Sequence, residues 1–143
     1  MAAAKMSVAE LEKFLREEFP QAFSDGEITI ESADGETCLL RQRYNENMLR
    51  PGGTVSGPTL MAMADFAMYV VLLSAIGPVG LAVTTNLNIN FLRKPGRCDL
   101  TAEARLLKLG KRLANGEVSL RCDGEEEPVA HVTATYSIPP GER

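Results

Sequence analysis

PTLMAMADFAMYVVLLSAI, residues 58–76, is apolar throughout except at Thr59, Asp65 and Ser74. Pro58 suits the first turn of a helix, and Gly77-Pro78 is a C-terminal stop, so the stretch predicts one helix over 58–76. A helix that is hydrophobic on every side must be enclosed, by lipid or by protein. A membrane span of about 20 residues would carry Asp65 near its midpoint, at a cost of roughly 2.5–3.5 kcal/mol. The rest of the chain offers no second span. The expected enclosure is therefore protein, and the flanking sequence supplies it.

Beyond Gly80 the apolar period changes to two. Leu81–Leu92 sets Leu81, Val83, Thr85, Leu87, Ile89 and Phe91 against Ala82, Thr84, Asn86, Asn88 and Asn90. Turns at Lys94-Pro95-Gly96, Gly110-Lys111 and Asp123–Pro128 separate further strands at Asp99–Leu109, Leu113–Cys122 and Val129–Ile138. Upstream, Ser7 with Glu10 three residues later predicts a capped helix to Phe19, carrying Leu11, Phe14, Leu15 and Phe19 at helical spacing and stopped by Pro20. Strands at Glu27–Ser32 and Thr37–Tyr44 flank an Ala33-Asp34-Gly35 hairpin turn, and Asn45–Gly57 is a loop. Two strands, a buried helix and four more strands give an α+β reading: a long antiparallel sheet wrapped around one central helix. One sheet covers one side of such a helix. The uncovered flank, and a Thr84/Asn86/Asn88/Asn90 strand face, are expected to bury against a second subunit.

The chain has 143 residues, enough for one domain, with an N-terminal helical segment at 1–24 and a polar tail at 139–143. Fifteen Lys plus Arg against nineteen Asp plus Glu give a net charge of −4, a poor basis for holding nucleic acid, and the absence of tryptophan argues against base stacking. Cys38, Cys98 and Cys122 are odd in number, far apart and without metal-ligand spacing. They read as small buried hydrophobes in a cytoplasmic protein. The start, with one lysine and no apolar core after it, has no signal-peptide pattern. The single histidine, His131, reads as structural, so chemistry must run on carboxylates, hydroxyls, amides and backbone groups.

Two features carry such chemistry. Asp65 is the one charge in the buried helix, and an ionised carboxylate in apolar surroundings is costly unless it is paired and used. The helix N-terminus after Val55-Ser56-Gly57-Pro58 offers free N–H groups at the positive end of the dipole, suited to an oxyanion. Pro58 has no N–H, so Gly57 is the best-placed donor. Gly57 and Asp65 lie about 12 Å apart along one helix, too far to share a small reacting group. Two such helices packed antiparallel about a two-fold axis would bring each N-terminus beside the other copy's aspartate.

These residues resemble the hotdog-fold acyl-CoA thioesterases of the phenylacetate-degradation type. That family places His-Gly-Gly at the helix entrance and an acidic residue seven positions after the second glycine; here Ser56-Gly57-Pro58 fills the triplet and Asp65 falls at the matching position. The segment Val83–Pro95 resembles the family's first strand after the helix, and the likeness covers about residues 27–138. The resemblance implies acyl-CoA hydrolysis without a metal or prosthetic group, in a homodimer that pairs into a tetramer. Gly57 would polarise the thioester carbonyl, Asp65 would be base or nucleophile, and Thr84, with Thr85 as the neighbouring option, would orient water or the carboxylate. Arg93, Lys94 and Arg97 would meet the coenzyme A phosphates. Arg50 would meet a phosphate or an acyl carboxylate. Two positions depart from the pattern: Ser56 replaces the histidine, and Arg50 stands where an asparagine is expected, with Asn45 and Asn47 nearby. A hotdog protein that binds an acyl-CoA or small apolar acid without turnover is the first alternative. A hotdog hydratase or dehydratase, pairing His131 with an acid, is the second.

Overall fold

A computed structural model describes residues 3–23 and 27–141; the expected segment boundaries at 1, 24 and 143 lie outside them. Helix α1 (Val8–Glu18) starts where the capping pattern places it. The Ser7 hydroxyl accepts from the Glu10 N–H at 3.1 Å, and the Glu10 carboxylate accepts from the Ser7 N–H at 2.9 Å. Strands β1 (Ile28–Ala33) and β2 (Thr37–Gln42) form the expected hairpin. Asp34 accepts from the Glu36 and Thr37 N–H groups, and Gly35 takes φ +89°. The expected loop carries more order than its punctuation implies. It holds a short 3-10 turn (Glu46–Met48) and a miniature hairpin, β3 (Leu49–Arg50) with β4 (Thr54–Val55).

Helix α2 (Gly57–Ile76) is the apolar helix, beginning one residue earlier than Pro58. Strands β5 (Val83–Phe91), β6 (Leu100–Leu109), β7 (Leu113–Cys122) and β8 (Ala130–Ser137) follow. All join one antiparallel sheet in the order β1-β2-β6-β7-β8-β5, with α2 lying across β6 and β7. This is the hotdog architecture. Gly116 of β7 marks the closest approach: a Cβ there would overlap the Met68 side chain and come 2.8 Å from the Arg105 carbonyl oxygen.

The structure corrects three expectations. First, much of the free flank of α2 is covered by the chain itself. The Phe19 ring lies 6.1 Å from Phe66 and 6.0 Å from Tyr69, Phe23 stacks on Phe66 at 6.0 Å, and the Lys5 N–H donates to the Ser74 carbonyl. Every residue from Phe66 to Ile76 is buried, whereas Pro58, Met61 and Ala62 are exposed and Asp65 is half-buried. Secondly, Thr84 does not share a face with the three asparagines. A bulge between Thr84 and Asn86 shifts the alternation. Thr84 pairs with inward Tyr136, while Asn86, Asn88 and Asn90 pair with Thr135, Thr133 and His131 on the outer face. Thirdly, Cys98 and Cys122 form a disulfide, with Cα atoms 5.7 Å apart, and Cys38 alone is a free buried thiol. Sequence separation misleads here because the end of β7 returns beside the β5–β6 loop. The cysteine-based reason for a reducing compartment therefore falls away.

Candidate active site

Asp65 sits on the eighth residue after Gly57, where the exposed stripe of α2 meets the β5 edge. Its Oδ1 accepts from the Thr84 hydroxyl at 2.5 Å and from the Tyr136 hydroxyl at 2.8 Å; the same phenol lies 3.0 Å from the Asp65 carbonyl oxygen. Thr84 and Tyr136 are directly opposite across β5 and β8, so one row of the sheet delivers both hydroxyls to one carboxylate oxygen. Among the described residues nothing hydrogen-bonds Oδ2. Burial pushes the Tyr136 phenol above the ordinary tyrosine range; the Thr84 bond pulls it back in part and the Asp65 charge adds to the rise. Tyr136 therefore stays protonated and donates. Asp65, Thr84 and Tyr136 line one end of an open cleft of about 810 Å³ that reaches α1.

The helix entrance is built differently. Ser56 is the N-cap of α2: its hydroxyl accepts from the Thr59 N–H at 3.3 Å and lies 2.9 Å from the Thr59 hydroxyl. Its carbonyl accepts from the Leu60 N–H. With Thr59 and Leu60 committed and Pro58 lacking a donor, the Gly57 N–H is the unpaired donor of this turn among the described residues. The Phe91 ring packs on the Cα side of Gly57, where a Cβ would come 3.2 Å from the ring's Cζ. The structure thus brings Asp65 and Thr84 together and leaves Gly57 and Ser56 two turns away on the same helix.

The expected coenzyme A residues fall in several settings, three of them in adjoining loops, where the Val55 N–H donates to the Pro95 carbonyl at 3.0 Å. Arg97 packs its guanidinium over Gly53, in the turn that follows Arg50. Arg50 and Lys94 are exposed, and Arg93 is paired with Glu127 at 2.5 Å. Asn47 borders an adjoining cleft of about 450 Å³ beside Thr59 and Met63, which shares Ala22, Ala62 and Phe66 with the first. Thr85, the bulged residue, donates to the Thr135 carbonyl at 3.2 Å rather than reaching Asp65. His131 bonds Glu117 at 2.9 Å on the outer sheet face, where Glu117 also meets Arg105. The Arg105 bond first, then the His131 bond, hold the Glu117 carboxyl below its usual range. His131 lies on the face opposite Tyr136 and five residues along the strand, roughly 17 Å from it.

Tyr136 is the residue that sequence reasoning missed. Its inward parity in Val129–Ile138 was visible, and a polar-tipped ring on a core-facing position is the signal that could have raised it. Its target was not visible, because the Thr84–Tyr136 pairing depends on the bulge.

Residues 52–129 match the family model described as thioesterase superfamily. The chain belongs to that superfamily. Among solved structures, a putative thioesterase from Silicibacter sp. TM1040 is 45% identical, with 96% of this chain and 94% of that one covered and a TM-score of 0.87. A phenylacetic acid degradation-related protein from Ralstonia eutropha JMP134 is 29% identical, with 78% and 84% covered and a TM-score of 0.71. A putative esterase of Saccharolobus solfataricus is 29% identical over 134 residues, 93% of this chain and 86% of the relative. The matched stretch, of a superfamily that includes phenylacetate-degradation-like proteins, takes in α2 and β5 to β7, while α1 precedes it and β8 follows it.

Proposed function

We propose that this thioesterase-superfamily chain hydrolyses an acyl-CoA thioester to the free acid and coenzyme A. The observation that carries the reading is the Asp65 carboxylate held by two hydroxyls through one oxygen, at the end of an apolar cleft. With Oδ1 anchored, Oδ2 is the oxygen that meets water or the thioester carbon. On the water route Asp65 takes a proton from water, the hydroxide adds to the carbonyl, and the tetrahedral oxyanion collapses to release the thiolate. On the nucleophilic route Asp65 attacks, the thiolate leaves, and water opens the mixed anhydride. Single-turnover hydrolysis in heavy-oxygen water can label Asp65 on the second route alone, and does so when water opens the anhydride at the Asp65 carbonyl.

The oxyanion donor is the Gly57 N–H of a second copy. Within one chain it lies about 12 Å from Asp65, and the stripe between them, Pro58, Met61 and Ala62, is exposed. The edge strand β5 continues this surface with Val83 at 56% and Phe91 at 53% exposure. A two-fold pairing along this stripe covers it and gives two equal sites; two such dimers form the tetramer. Arg50, Lys94 and Arg97 then serve the coenzyme A phosphates, Arg93 being engaged with Glu127. The route requires no metal or prosthetic group.

A panel of acyl-CoA substrates with a thiol reagent tests the activity, and Asp65→Asn and Asp65→Ala test the residue. Both variants should keep the fold and lose turnover. Parental rates in either variant overturn the assignment, as does full activity in a protein that is monomeric at micromolar concentration. A second reading, binding without turnover, is favoured by one observation: the Ser56 hydroxyl is turned into its own helix cap, so nothing there replaces the family's histidine. Acyl-CoA binding with no thiol release would select it. The hydratase reading is disfavoured by the distance and opposite face of His131.

A further inference from the structure

The cleft that starts at Asp65 ends on α1, a helix outside the stretch matching the family model. Its wall is a run of aromatic rings. Tyr136 stacks near Tyr69 at 6.3 Å, Tyr69 meets Phe19 at 6.0 Å, and Phe19 meets Phe66 at 6.1 Å. Both tyrosine hydroxyls are spent, Tyr136 on Asp65 and Tyr69 on the Gly80 carbonyl at 2.9 Å, so the wall presents ring carbon. Gly80 lets a further ring close in: a Cβ there would come 3.2 Å from the Phe14 Cζ. Apart from Asp65, the charged side chain on the cleft is Glu18. Phe14 and Glu18 are four residues apart, on one face of α1. Glu18 makes no ion pair among the described residues, and its charge adds to burial in raising the Tyr69 phenol.

We infer that α1 selects the acyl group: the cleft takes an uncharged hydrocarbon tail, aryl or alkyl, and Glu18 bars a tail that ends in a carboxylate. The inference rests on the thioesterase reading above and adds the substrate's far end to it. An aromatic wall whose tyrosine hydroxyls are both engaged rewards apolar area and leaves a buried carboxylate unpaired. Glu18 adds like-charge repulsion where such a tail would emerge. The selecting helix and Asp65 then lie far apart in the chain, so selectivity can change without touching Asp65.

The test is a panel of acetyl, octanoyl, phenylacetyl and adipyl thioesters of coenzyme A, read as kcat/KM relative to acetyl, which is too short to reach α1. In the parent, octanoyl and phenylacetyl should exceed adipyl by at least about tenfold. Glu18→Lys should move the adipyl-to-octanoyl ratio by at least about tenfold toward adipyl, with Glu18→Gln in between. Phe19→Ala, with circular dichroism as the check on folding, should lower phenylacetyl relative to acetyl by about tenfold. Ratios that stay fixed across these variants, or a parent that handles adipyl as well as octanoyl, overturn the inference. The same panel read as Kd on the Asp65→Asn variant separates it from the activity itself. Binding ratios that shift with Glu18→Lys, alongside a parent with Asp65 intact that cleaves no thioester, would sink the thioesterase reading and leave the selection by α1 standing.

Discussion

The two halves of α2 are written in the same apolar alphabet and meet different surroundings. From Phe66 to Ile76 every side chain is buried, between the sheet and the α1 region. Before Phe66, Pro58, Met61 and Ala62 face outward, and Met61 is 41% exposed. Hydropathy alone treats the halves alike. What separates them is the reach of α1, whose Phe19 ends against Phe66 and Tyr69. Asp65 stands at the boundary, enclosed enough to be oriented by Thr84 and Tyr136 and open enough to meet a substrate.

The sharpest way to break this contrast is at the boundary itself. Asp65→Asn keeps the shape and a hydrogen-bond acceptor, and should lower kcat by about 10²–10⁴-fold while the thermal transition stays in place. Leu72→Ala, in the closed half, should cost about 2–5 kcal/mol in denaturant unfolding, because a fully buried side chain leaves a cavity. Met61→Ala, in the open half, should stay within about 0.5 kcal/mol for the isolated subunit. Equal losses at the two positions would erase the distinction between the halves. Met61→Glu should raise the dissociation constant of the dimer by at least about tenfold in sedimentation experiments, since it puts a charge on the proposed seam. An unchanged association would show that the stripe is not the seam.

Tyr136→Phe gives a smaller effect, about tenfold in kcat, from the loss of one hydrogen bond to a carboxylate. It also changes the alkaline limb of stability. The folded phenol titrates above its unfolded value, so its contribution is complete below the unfolded value of about 10 and is lost as pH rises above it. Thermal melts of the parent should therefore fall more steeply than those of Tyr136→Phe above that pH. Parallel curves would mean that burial does not set the phenol's titration.

Much of this was legible in local sequence. The Ser7–Glu10 cap, the Asp34-Gly35 turn and the strands of β6 to β8 follow from short-range hydrogen bonds and from a period-two pattern with one face in the core. Asp65 stood out because a lone charge in an apolar helix is costly. Gly57 followed from the free N–H groups at the helix start and Thr84 from resemblance, and only the Asp65–Thr84 contact is made within one chain. Arg93 looked like a free cation until Glu127 met it, and the cysteines looked unpaired until the chain returned Cys122 to Cys98.

The sequence by itself determined that a long apolar helix would be wrapped by an antiparallel sheet, because burying that much hydrocarbon inside protein leaves few other arrangements. The tertiary structure alone decided which half of the helix α1 covers, where the β5 bulge turns Thr84 toward Tyr136, and which two cysteines meet. Each of these depends on contacts between residues far apart in the chain. A one-residue change of strand parity, which no local pattern registers, sends a side chain to the opposite face of the sheet.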